Sequence, residues 1–208
     1  MMPLPAHGLY AITAQRFPEM QTLTADIQAA LEGGAALIQF RDKSGDAGWR
    51  REAARHAAAL CTAAGVPLIV NDDVVLALDC GADGVHLGRD DSSIEAVREA
   101  AGAGLLLGVS CYNDLERAAA AAGAGADYLA FGSMYPSGTK PAATRCELRL
   151  LGRARALGKP LVAIGGITPE NGAAVIAAGA DFLAAIDAVF GAKDVRQAAG
   201  RFAALWSS

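Results

Sequence analysis

The sequence predicts a single-domain α/β protein, a (β/α)8 TIM barrel spanning residues 1–208. Three observations carry this. Short apolar runs of strand length recur eight times, and the longer stretches between them have helical spacing. The tripeptide Gly-Ala-Asp returns at 81–83, 125–127 and 179–181, each time between a helical run and a strand, so one supersecondary unit is being reused. Strand–helix alternation requires parallel strands joined by right-handed crossovers. Eight such units in 208 residues fit a compact barrel better than the competing arrangement, a doubly wound open sheet.

Taken in order, GLYAIT (8–13) is the first strand and AALIQFR (35–41), opened by the helix-stopping pair Gly33–Gly34, the second. The helical run WRREAARHAAALCTAAG stops at Gly65, and PLIVND (67–72) follows. GVHLG (84–88) comes straight after the first Gly-Ala-Asp, and LLLGVSC (105–111) after Gly102. DLERAAAAAGAG leads through Gly123 and the second Gly-Ala-Asp into YLAFGSM (128–134). Gly158 precedes PLVAIGG (160–166), and the third Gly-Ala-Asp precedes FLAAID (182–187). Barrel chemistry gathers at the C-terminal ends of strands. Asp83, Asp127 and Asp181, at strand starts, therefore read as turn and stability devices.

Composition narrows the function. The chain is 53% apolar, rich in Ala and Gly and only 6% aromatic, which suits close helix-on-sheet packing. A net charge of −4 argues against nucleic acid as the main partner, because phosphate neutralisation needs a basic face. Cys61, Cys80, Cys111 and Cys146 are widely spaced with no CxxC pair, so they read as reduced, mostly buried thiols. No secretion signal or bilayer-length apolar run is present, and the expectation is a soluble, cytoplasmic protein.

The carboxylates of PLIVNDD and GRDD raise the chemical question. Asp72 ends the third strand and Asp91 lies in the loop after the fourth. Parallel neighbours run ~4.8 Å apart, so the two acids converge. At ~4 Å, two ionised acids repel by about 4 kcal/mol at an effective dielectric of 20. They need a proton, a basic partner or a cation, and hard oxygen donors at a barrel mouth point to Mg²⁺. Asp73 and Asp90 read instead as helix caps. Around the same rim, strand alternation puts Gln39 and Arg41 on one face, with Lys43 just beyond. Asn71, Ser110, Ser137-Gly138-Thr139-Lys140 and Gly165-Gly166-Ile167 complete the ring of strand ends, and Thr168–Pro169 opens a helix. Basic residues beside carboxylates here form an anion site, with glycines admitting backbone N–H groups to phosphate. Cys111 reads as a buried thiol and His86 as a packed histidine.

QFRDK (39–43), VNDD (70–73), GADGVHLGRDD (81–91), LGVS (107–110), YPSGTK (135–140) and AIGGIT (163–168) follow one another in the order seen in thiamine phosphate synthases. The chain resembles that family along nearly its whole length, with thiazole tautomerase-like proteins as the nearest relatives. The resemblance implies a transferase joining 4-amino-2-methyl-5-(hydroxymethyl)pyrimidine diphosphate to a thiazole phosphate, with release of diphosphate. By similarity, Gln39, Phe40, Arg41, Asp42, Lys43, Asn71, Ser110 and Lys140 would bind the pyrimidine diphosphate, and Asp72 and Asp91 would hold Mg²⁺. Ser137, Gly138, Thr139, Gly166, Ile186 and Asp187 would meet the thiazole phosphate. Arg41, Lys43, Ser110 and Lys140 would act on the reaction itself. The implied partners are these small molecules, with no nucleic acid and no membrane, and with room for a homo-oligomer. Three positions depart from the family pattern: Arg89 replaces Gln, Ser137 replaces Thr, and Asp187 replaces Ser. An ionised Asp187 facing the thiazole phosphate would repel it, so it either points away, capping the last helix, or signals another acceptor. The rival readings are a divergent paralogue with a different acceptor or a tautomerase-like role, and a non-catalytic barrel that binds a thiamine precursor.

Overall fold

The computed structural model describes residues 2–14, 17–89, 91, 93–136 and 144–207, with Ala103 as backbone only. Eight parallel strands close in sequential order: β1 (Gly8–Ile12), β2 (Ala35–Phe40), β3 (Leu68–Asn71), β4 (Gly84–Leu87), β5 (Leu106–Tyr112), β6 (Tyr128–Gly132), β7 (Leu161–Ile164) and β8 (Phe182–Ala185). The β1–β8 pairing, from Gly8↔Phe182 to Ala11↔Ala185, completes the barrel. Each predicted strand is present, within two residues of the expected ends.

The helices outside are α1 (Met20–Glu32), α2 (Ala47–Ala64), α3 (Val74–Cys80), α4 (Ile94–Ala101), α5 (Leu115–Gly123), α6 (Arg149–Ala154), α7 (Pro169–Ala177), α8 (Asp187–Phe190) and α9 (Val195–Ala203). Acidic side chains start several of them: Asp46, Asp73, Asp114 and Asp194 each accept a first-turn backbone N–H. The inner face of α2 is Ala53, Ala54, Ala57, Ala58 and Cys61, all buried, which lets that helix lie close on the sheet. The four cysteines are free thiols, with Cys61, Cys111 and Cys146 buried. Burial pushes the Cys61 and Cys111 thiols up to about 12, which makes them poor nucleophiles. Among the described residues no helix is long and apolar enough to cross a membrane.

Two layers of core follow from strand alternation. Outward residues such as Leu9, Ile38, Leu129 and Leu183 pack under the helices, while Leu37, Ile69, Val162 and Phe182 fill the lumen. Two tyrosines, Tyr10 and Tyr128, join the lumen cluster and are almost fully buried. Gly108 on β5 makes room for one of them. A Cβ there would lie 1.9 Å from Tyr128 Cζ.

The repeated Gly-Ala-Asp units act as latches at the base of the barrel. Asp83 Oδ2 accepts the Leu68 N–H at 3.1 Å, Asp127 Oδ2 the Leu107 N–H at 2.7 Å, and Asp181 Oδ2 the Leu161 N–H at 2.8 Å. Each aspartate, immediately before an even strand, thus holds the start of the odd strand that precedes it. Arg98 and Arg155 pair with Asp127 and Asp181 at 2.7 and 2.8 Å.

Candidate active site

The strand ends open into a cavity of about 860 Å³, lined by residues that include Gln39, Arg41, Asn71, His86, Ser110, Gly166, Ile186 and Asp187. A neighbouring hollow of about 580 Å³ holds Asp42, Lys43, Asp72 and Asp91, and the two share Asn71 as a wall. The first volume lies within the range of small-molecule sites.

At the end of β2, alternation turns Gln39 into the lumen, where its Nε2 donates to Tyr10 Oη at 2.8 Å. Arg41 is clasped to the end of β1: its N–H donates to Thr13 Oγ1 at 2.8 Å, and that hydroxyl donates to Arg41 O at 3.0 Å. Its guanidinium lines the cavity, and Nη1 is buried with no hydrogen-bond partner among the described residues. Burial lowers the Arg41 pKa, with the Asp72 charge opposing. Leaving a buried charged donor unpaired costs more than the ~1–3 kcal/mol of a neutral one, so this group is set to meet an anionic acceptor.

Asp72 follows β3 with its backbone in the left-handed region, φ 64°, a conformation Asp tolerates better than most residues. Its N–H donates to His86 O at 2.9 Å, extending the β3–β4 ladder by one bond. Asp72 Oδ2 meets Lys43 Nζ at 2.5 Å, and the carboxyl also hydrogen-bonds Asp91. Asp91 is held from below by the Gly88 N–H at 2.5 Å from Oδ2. A Cβ at residue 88 would press to 2.9 Å on the same oxygen, so a larger residue there would displace the Asp91 carboxylate. Burial resists ionisation of Asp72, but Lys43 and the shared hydrogen bond outweigh it and hold its pKa below the usual range. Asp91 moves the other way, raised by burial and by the Asp72 charge against the Gly88 N–H. The pair therefore ionises unequally, and Asp91 keeps its proton longer.

Two carboxyls in contact beside an ammonium are a donor set suited to a hard divalent cation, which would replace the shared proton. No third His, Cys, Asp or Glu joins them among the described residues, so such an ion would fill its shell from water and phosphate, as Mg²⁺ commonly does. Asp73, beside them, caps α3 and pairs with Arg50 at 3.0 Å.

A chain of buried polar groups runs across the lumen. Tyr10 Oη lies 2.8 Å from Tyr128 Oη, Tyr128 Oη 3.1 Å from His86 Nδ1, and His86 Nε2 2.9 Å from Ser110 Oγ. His86 also stacks on the Tyr128 ring, and burial pushes its pKa down to about 4 despite the Asp72 charge. Arg117 of α5 ties the ends of β4 and β5 together, donating to Gly88 O at 2.9 Å and to Ser110 O at 2.7 Å.

On the far side, Gly165 and Gly166 take φ 103° and 62°. A Cβ on Gly166 would lie 2.3 Å from Pro136 O, so the turn closes only with glycine. Asn171 of α7 fixes it, donating to Gly166 O at 3.0 Å while its Oδ1 accepts the Thr168 N–H at 2.9 Å.

The placement of the expected residues is uneven. Gln39, Arg41, Asn71, Ser110, Gly166, Ile186 and Asp187 share the main cavity, and Lys43, Asp72 and Asp91 the adjoining hollow. Phe40 goes elsewhere: its side chain packs in the layer between sheet and helices, because it alternates with Gln39 and Arg41. Asp42 borders the second hollow, yet both its oxygens are engaged, by the Ser44 N–H at 2.7 Å and Trp49 Nε1 at 3.0 Å. Asp187 begins α8 as an exposed residue and is among those lining the cavity. Ser137, Gly138, Thr139 and Lys140 lie outside the described residues, as does Asp90. Sequence reasoning missed Tyr10, Tyr128, Thr13 and Arg117, and it gave His86 only a packing role.

Known proteins agree with this architecture. The family model described as thiamine monophosphate synthase matches residues 9–189. A thiamine-phosphate synthase of Thiobacillus denitrificans is 54% identical over 202 residues, covering 97% of this chain and 95% of its own. One from Aromatoleum aromaticum is 52% identical, covering 97% of each chain. The solved thiamine phosphate pyrophosphorylase from Pyrococcus furiosus superposes with a TM-score of 0.88 at 36% identity, covering 97% of this chain and 96% of that one. With the family model spanning the barrel from β1 into α8 and full-length relatives at half identity, the chain belongs to the thiamine monophosphate synthase family, a family of transferases.

Proposed function

We propose that this transferase condenses 4-amino-2-methyl-5-(hydroxymethyl)pyrimidine diphosphate with 4-methyl-5-(2-phosphoethyl)thiazole to give thiamine phosphate and diphosphate, in a Mg²⁺-dependent reaction. The observation that carries the reading is the contact between Asp72 and Asp91 beside Lys43, adjoining a cavity into which Arg41 brings a guanidinium nitrogen with no partner among the described residues. That set supplies positive charge and a cation site where a diphosphate would lie.

The chemistry follows from charge. Diphosphate leaves slowly until its developing charge is neutralised. Arg41 and Lys43 donate to its oxygens, and Lys140 belongs to the same set by resemblance. Mg²⁺ held by Asp72 and Asp91 would add Lewis-acid neutralisation of the departing group. The C–O bond breaks first, and the aminopyrimidine ring stabilises the benzylic-type cation that remains. The thiazole nitrogen then donates its electron pair to that carbon. No covalent enzyme intermediate is needed, in keeping with the elevated Cys111 pKa. Gln39, Asn71 and Ser110 orient the pyrimidine, and the Gly166 turn and Ile186 receive the thiazole phosphate.

The test is diphosphate release measured with each substrate alone and with both together, with and without Mg²⁺. Release that needs both substrates and the ion is the expected result. Release with the pyrimidine alone at the full rate, or no dependence on the ion, overturns it. The placement of Asp187 in the cavity lining favours one second reading, an acceptor without a phosphate. Turnover of the dephosphorylated thiazole at a higher kcat/KM than the phosphate would establish that variant.

A further inference from the structure

The lumen chain has a property that no single contact shows. A neutral histidine has one donor and one acceptor nitrogen, and each tyrosine hydroxyl has one hydrogen to give. If every buried hydrogen is donated, fixing the sense of one bond fixes all the others. Gln39 Nε2 donates to Tyr10 Oη. The Tyr10 hydrogen then goes to Tyr128 Oη, the Tyr128 hydrogen to His86 Nδ1, and the hydrogen on His86 Nε2 to Ser110 Oγ. The bonds of the chain leave Gln39 Oε1 free to accept and the Ser110 hydrogen free to be donated, beside one Gln39 N–H and one Ser110 lone pair, and both residues line the cavity.

The only other satisfied arrangement is the complete reversal, in which the Gln39 amide offers N–H and Ser110 offers lone pairs. Any mixed state leaves a buried hydrogen undonated or an imidazole lone pair unused inside the barrel, at ~1–3 kcal/mol for the unpaired group. Tyr10, Tyr128 and His86 are all buried, so water is poorly placed to repair the break.

We propose that Tyr10, Tyr128 and His86 are positioning residues that form a proton-ordered chain, holding His86 as the Nε2–H tautomer and thereby leaving Gln39 Oε1 free to accept from the ligand and the Ser110 hydrogen free to be donated to it. One acceptor and one donor at the two ends match a heteroaromatic edge carrying an exocyclic amine beside a ring nitrogen. Resting on the reading of the substrate as an aminopyrimidine, the chain is then the element that selects a 4-amino over a 4-oxo ring. In the 4-oxo ring the nitrogen carries hydrogen and the exocyclic atom accepts, so the edge is reversed.

Two measurements test this. In ligand-free protein labelled with ¹⁵N-histidine, near neutral pH, ring nitrogen shifts report the tautomer, and His86→Gln assigns the His86 signals among the three histidines. A single Nε2–H tautomer is expected; a mixture, or the Nδ1–H form, overturns the ordering. The second measurement is the ratio of kcat/KM for the 4-amino and 4-oxo pyrimidine diphosphates. Tyr128→Phe cuts the chain in the middle while leaving Gln39 and Ser110 in place, and it should lower that ratio at least tenfold. An unchanged ratio, with both substrates slowed alike, gives Tyr128 a purely structural role and overturns the selectivity. If the wild-type protein turns over neither pyrimidine, the proposed reaction fails, while the tautomer measurement still decides the ordering.

Discussion

Asp72 and Asp91 meet because β3 and β4 are neighbours and because the residue after β3 turns into a left-handed backbone before α3 begins. Neither side chain contributes much apolar burial, so the site and the fold separate cleanly here. Asp91→Asn keeps an oxygen for the Gly88 N–H but removes the charge. It should reduce diphosphate release by at least a hundredfold while leaving the urea midpoint nearly unchanged. A variant that retains wild-type turnover would remove the metal role. Asp187 poses the opposite case, a charge where the acceptor is expected to carry another. Asp187→Ser should lower the KM for the thiazole phosphate several-fold with little change in kcat, and steady-state kinetics at fixed pyrimidine concentration reads this directly.

The three basal latches explain why Gly-Ala-Asp recurs. Each aspartate accepts a backbone N–H at or next to the start of the neighbouring strand, and two of them also carry an arginine. Asp181→Ala should cost about 2 kcal/mol of stability by leaving the Leu161 N–H unpaired, with kcat/KM unchanged; denaturant curves and kinetics together check it. These elements were legible in the sequence because their signals are local: an apolar run, a glycine stop, an acidic cap. The acid pair was legible for a related reason, since two neighbouring strands place it. The Tyr10–Tyr128 contact was not, because it joins residues 118 apart across the lumen and neither tyrosine sits in a motif. Arg117 was hidden the same way, as one charge on an alanine-rich helix. The short α8 lacks a polar cap, so nothing in FLAAIDAVF separated it from the strand before it.

At the scale of the molecule, the buried histidine ties stability to pH. Its pKa in the folded state is about 4, against ~6.5 when unfolded. Above pH 6.5 both states are neutral and folding is unaffected. As pH falls below 6.5 the unfolded chain takes up the proton and the folded one does not, so stability declines until pH reaches about 4. The loss from this one group is about 3 kcal/mol. Urea midpoints of wild type and His86→Gln followed from pH 7 to 4 should therefore draw closer together as the pH is lowered.

The latches also divide the sheet unevenly. They bind β3 to β4, β5 to β6 and β7 to β8, whereas β1 and β2 have Gly33-Gly34-Ala35 where the motif would stand. His7, just before β1, stacks on Trp206, beyond α9, with ring centroids 5.8 Å apart, so the two ends of the described chain are close enough to splice. Circular permutants reopened between α4 and β5, or between α6 and β7, would keep every couple intact and should refold, whereas a new terminus cut between β5 and β6 would sever one.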